Sequence, residues 1–135
     1  MSTHPKQAEL ERRMRLLCDD LDHYLEDTFG EYYPLHPNRP KRGQAASVAY
    51  DGLFSTGTQF TLGYGSTHGR GYLIIVEIRT LAKVDPDHKT EIEEAAMQHL
   101  KSIIKVYFPE RDIRLEKDGT LYKLVGDFSL GSSSN

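Results

Sequence analysis

The chain has 135 residues, a net charge of −3, 38% hydrophobic and 27% charged residues, and one cysteine. That length and mix describe one globular domain rather than a disordered segment, and they exclude a disulfide-held core and a surface that binds polyanions through overall charge. No apolar run reaches the length of a membrane span and no leader-like segment opens the chain, so the expected location is the cytoplasm, with no membrane partner.

From Gln7 to about Phe29 the apolar residues Leu10, Met14, Leu17, Leu21, Tyr24 and Leu25 recur every three to four positions, the signature of one face of a long helix, and Gly30 ends it. Cys18 falls beside Leu17 and Leu21, which predicts a buried, unreactive thiol. Asp19, His23 and Asp27 lie four apart on the opposite face, where solvated side chains are the expectation.

Residues 31–46 lack periodicity, carry Pro34, Pro37 and Pro40, and hold a basic cluster of His36, Arg39, Lys41 and Arg42. A connection longer than about 12–15 residues is uncommon and often functional, so this one is a candidate anion-gripping arm. Strands are then expected at Ser47–Asp51, Gln59–Tyr64 and Tyr72–Leu81, the last central in a sheet. Between the second and third lies Gly63-Tyr64-Gly65-Ser66-Thr67-His68-Gly69-Arg70-Gly71, whose glycine N–H groups and Arg70 could form an anion-binding nest.

A second helix is predicted to start at Asp85-Pro86 or at the Thr90–Glu93 capping box, and Pro109 stops it. His99 lies on its apolar face, the position of a hydrogen-bonded structural histidine. Ile113–Glu116 and Thr120–Phe128 read as a hairpin turned by Asp118-Gly119, and residues 131–135 as a disordered tail after a single domain of residues 1–130. The expected fold is α+β in the order α-β-β-β-α-β-β, with a five-stranded, mainly antiparallel sheet flanked by two helices.

Three functional expectations follow. The α-β-β-β-α-β-β order resembles class I type III secretion chaperones, which implies a dimer that binds extended segments of partner proteins along apolar grooves on the sheet and first helix. Because no complementary acid, base and nucleophile can be assembled from spacing, a non-enzymatic binding or adaptor protein without metal or cofactor is the leading expectation. The homodimer is expected through a sheet face carrying Leu73, Ile75 and Leu81.

The alternative rests on Asp51 and on Ile75-Val76-Glu77-Ile78-Arg79, which resembles the catalytic strand of restriction-type metal-dependent nucleases. That resemblance implies Asp51 and Glu77 as metal ligands, with Arg79 at the lysine position. The third expectation is a site for a small anion or nucleic-acid phosphate in which Arg39, Lys41, Arg42, His68 and Arg70 converge.

Overall fold

The computed structural model describes residues 5–63 and 69–128. His68, most of the glycine-rich loop and the expected tail lie outside the described residues. Helix α1 (Pro5–Phe29), strands β1 (Phe54–Thr61) and β2 (Gly71–Ile78), helix α2 (Pro86–Tyr107), and strands β3 (Ile113–Asp118) and β4 (Leu121–Gly126) follow in order. The fold is α+β, with two helices and a four-stranded antiparallel sheet in the order β1-β2-β4-β3.

Each helix forms where its apolar stripe can be buried. Leu10, Met14, Leu17, Cys18, Leu21, Leu25 and Phe29 of α1 are buried. So are Ile92, Ala96, Met97, Leu100, Ile103 and Ile104 of α2. Asp85 rather than Thr90 caps α2, accepting from the amides of Asp87 at 2.8 Å and His88 at 3.3 Å, with Pro86 at the first helical position. Both stripes close over Phe54, Ile74, Ile113, Leu115 and Leu124 of the sheet to form one core.

The expected five-strand sheet loses its first member. Residues 48–50 form a single 3-10 turn, begun by Ser47. The cause is the basic cluster. Arg39 donates to the carbonyls of Ala49, Asp51 and Gly52, each at 3.0 Å, gathering three oxygens that a strand would point to opposite sides. Arg42 donates to the carbonyls of Val48 and Phe54, both at 2.6 Å, and pairs with Asp51 at 2.8 Å and Glu26 at 3.1 Å. Gly52, at φ +78°, is required here, since a side chain would strike the Arg42 guanidinium.

Strand β1 consequently starts at Phe54, five residues earlier than the alternation from Gln59 implied. Phe54 and Thr56 are buried against α1, and Ser55-Thr56-Gly57, whose residue types suit a turn, continues the strand in register with Ile75–Glu77.

The sheet's other face is less bare than expected. Ile75 and Leu81 are exposed, but Leu73 is half-buried and Val125 is buried. Lys123 on that face is also buried, donating to the Gly69 carbonyl at 2.6 Å and pairing with Asp118 at 3.0 Å. Replacing Arg42 by Ala would leave the buried Asp51 without its cation. A loss of about 3–5 kcal/mol in urea denaturation is expected.

Candidate functional site

Among the described basic residues, Arg39, Lys41 and Arg42 stand apart from Arg70. Arg39 and Arg42 are turned inward onto the carbonyls and carboxylates described above, at the Phe54 end of β1. Burial, followed by neighbouring Arg79 and Arg42, holds the Arg39 pKa below its ordinary value. Lys41 is exposed in the same loop. Arg70 is exposed and directly precedes β2, whose first residue pairs with Thr61 at the far end of β1. The seven residue steps from Phe54 to Thr61 span about 23 Å of strand, more than two Debye lengths at ordinary salt, so Arg70 and the Arg39–Arg42 segment do not surround a common anion.

Asp51 and Glu77 are likewise apart. Asp51 is buried on the helix side and accepts from the amides of Gly43 at 2.8 Å and Ala45 at 2.9 Å as well as from Arg42. Burial alone would raise its pKa, and those amides together with Arg42 more than offset it, leaving the carboxyl below its ordinary range. Glu77 stands opposite Ser55 on the helix-free face and pairs with Arg79 at 2.9 Å. Among the described residues no group of three or more potential ligands could hold a metal ion.

The two residues expected to be structural are so placed. Cys18 is 2% exposed, and burial pushes its thiol up to about 12. The His99 side chain is 22% exposed, stacks on Tyr24 at 4.2 Å and bonds Asp20 at 2.8 Å. Tyr107 donates to the other Asp20 oxygen at 2.6 Å, and that bond, with burial, pushes its hydroxyl up to about 12.

A cleft that the sequence did not single out lies between α1 and the helix-side face of β1 and β2, with Arg15 at its rim reaching the outer edge of β1. About 340 Å³ in volume, it is lined by Leu10, Glu11, Met14, Arg15, Cys18, Thr58, Phe60 and Tyr72. Helix α1 runs antiparallel to β1 here: Glu26 accepts from the Leu53 amide at 2.9 Å, Asp22 accepts from the Thr56 hydroxyl at 2.7 Å, and Leu10 and Met14 reach the level of Thr58 and Phe60.

Backbone groups of an antiparallel strand alternate in direction. The Arg79 amide donates to the Leu53 carbonyl at 2.7 Å, so odd-numbered residues of β1 bond β2 and even-numbered ones point outward. Arg42 covers the outward carbonyl of Phe54, and Arg15 that of Thr56 at 3.1 Å. The outward N–H and C=O groups of Thr58 and Phe60 carry no hydrogen-bond partner among the described residues.

Arg15 also bonds Asp19 at 2.8 Å and lies 3.6 Å from the wholly buried Asp22, whose Oδ2 lacks a hydrogen bond among the described residues. Burial pushes the Asp22 carboxyl up to about 7, against the opposing effects of Thr56, Arg42 and Arg15.

Fold and cleft together define a small α+β protein with two helices on one sheet face and an open, uncharged strand edge beside an apolar recess. The chain belongs to a protein family described as "Uncharacterised protein", whose model matches residues 5–126. It is 45% identical over 123 residues to an "Uncharacterized protein" of Borreliella burgdorferi, an alignment covering 91% of this chain and 96% of that one. No solved structure matches the chain. No helix among the described residues is long and apolar enough to cross a membrane.

The raised Asp22 pKa sets a pH dependence. A carboxyl whose folded pKa exceeds its unfolded value adds stability at acid pH, and this is lost as pH rises from about 4 to about 7. Asp22→Asn removes that slope, so relative to the parent the variant should gain melting temperature, by ~3 °C or more, between pH 5 and pH 8 in thermal scans.

Proposed function

We propose that this is a non-enzymatic binding protein that captures an extended protein segment by adding it as a strand to the outer edge of β1. The observation that carries this reading is the coincidence of the open backbone groups of Thr58 and Phe60 with the cleft under α1. Strand addition takes its affinity from main-chain hydrogen bonds and its selectivity from pockets that receive alternate side chains, and both elements stand side by side here.

The edge also lacks the features that usually prevent such pairing. Phe54–Thr61 reads Phe-Ser-Thr-Gly-Thr-Gln-Phe-Thr, with no charged residue and no proline over eight positions. Phe60 is 50% exposed and Leu62 is 55% exposed, so the edge continues into an apolar rim. Leu10, Met14, Phe60 and Tyr72 offer the cleft's occupant an apolar lining, while Glu11 and Arg15 flank it with charge. An apolar side chain of the captured segment fits that lining, and Arg15, by covering Thr56, marks where the added strand stops.

Thr58→Pro tests this with little disturbance, because the N–H it removes points away from β2. Peptides selected from a random library on the parent protein should shift the amide resonances of Thr58 and Phe60, and should bind Thr58→Pro at least ~10-fold more weakly at a near-unchanged melting temperature. Selected peptides that bind both proteins equally would refute the assignment.

A further inference from the structure

The edge that receives a segment is complementary to itself. We propose that, when no partner segment is bound, the cleft is occupied by Phe60 of a second copy of the chain, the two β1 strands pairing antiparallel about a two-fold axis through Gln59. This rests on the strand-addition reading above and names what competes with the partner.

The register follows from the backbone. Around a dyad at Gln59, Thr58 of one copy faces Phe60 of the other, and both are outward-pointing residues of β1. Each such pair exchanges two N–H···O=C bonds, so the open groups satisfy one another reciprocally. Side chains directly opposite share a face. Phe60 of the second copy therefore lies beside Thr58 on the helix side, where Leu10, Met14 and Cys18 line the cleft. Shifting the pairing to a dyad at Gly57 would set Thr56 against Thr58, and the Thr56 carbonyl already accepts from Arg15.

Charge favours the same arrangement. No like charges meet along the strands, since β1 has none. A dyad normal to the sheet places both α1 helices on one face, running in opposite directions. Glu11 and Arg15 of α1 both line the cleft, so the two-fold brings Glu11 of each copy toward Arg15 of the other.

The contact is one short strand pair and two inserted aromatic rings. That is less than the ~800 Å² per partner of a standard interface, and it implies a weak dimer that exchanges and gives way to a partner. The pairing also covers an edge that would otherwise be open to indiscriminate association.

Sedimentation equilibrium of the full chain, from about 1 to 200 µM, is the test, in the range where an interface below standard size is expected to dissociate. A monomer–dimer equilibrium is expected for the parent. Phe60→Lys, Thr58→Pro and Glu11→Arg should each raise the dimer dissociation constant by ~10-fold or more. Glu11 is exposed and among the described residues bonds only Gln7, at 3.2 Å, so its variant remains informative should either strand variant fail to fold. A library-selected peptide should shift the parent toward monomer.

A dimer unaffected by all three substitutions would place the interface elsewhere and overturn the proposal. A parent that stays monomeric throughout but still binds selected peptides at Thr58 and Phe60 would overturn the dimer and leave segment capture standing. A monomer that binds no peptide there would remove both.

Discussion

One guanidinium, that of Arg42, joins parts of the chain that share no secondary structure. It links the C-terminal half of α1 through Glu26, the loop through Val48 and Asp51, and the first residue of β1 through Phe54. A largely enclosed guanidinium needs a counter-charge, and the buried Asp51 carboxylate needs a cation, so each depends on the other. The pair fixes where the loop ends and where β1 begins. The start of β1 in turn determines which of its residues face α1 and which backbone groups face outward.

The candidate site is the place where this tethering stops. Arginine covers the edge carbonyls at Phe54 and Thr56, whereas among the described residues no side chain bonds the outward groups of Thr58 and Phe60, beside which Leu10, Met14 and Cys18 line the recess. Two properties thus arise from one geometry. The backbone there keeps its hydrogen-bonding capacity, and the recess beside it is apolar. The proposed segment capture and self-pairing would use the same two properties and exclude each other for that reason.

Buried polar groups elsewhere serve the contact between layers. Asp20 receives His99 and Tyr107 of α2, while Asp22, two residues on and so about 200° round the helix, receives Thr56 of β1. Helix α1 therefore binds its neighbours by hydrogen bonds on two sides as well as through its apolar stripe. The carboxylate toward α2 is half-exposed and stays ionised, and the one toward the sheet is enclosed and titrates near neutrality.

By itself the sequence determined what local periodicity and turn chemistry can determine. The stripe from Leu10 to Leu25, the Asp85-Pro86 start of α2 and the Asp118-Gly119 hairpin are local signals, and the structure has all three. Placing Cys18 and His99 on packed helix faces followed from the same 3.6-residue period. The tertiary structure alone decided the fate of the loop and the location of the cleft. Arg39, Lys41 and Arg42 look the same in sequence whether an arginine grips a ligand or its own chain, and only folding brought Asp51, Glu26 and the loop carbonyls within reach of Arg39 and Arg42. The uncharged run from Phe54 to Thr61 was visible, but its Ser-Thr-Gly centre imitates a turn. Being an edge strand is a property of the sheet order β1-β2-β4-β3, which depends on β4 returning beside β2 from some fifty residues away.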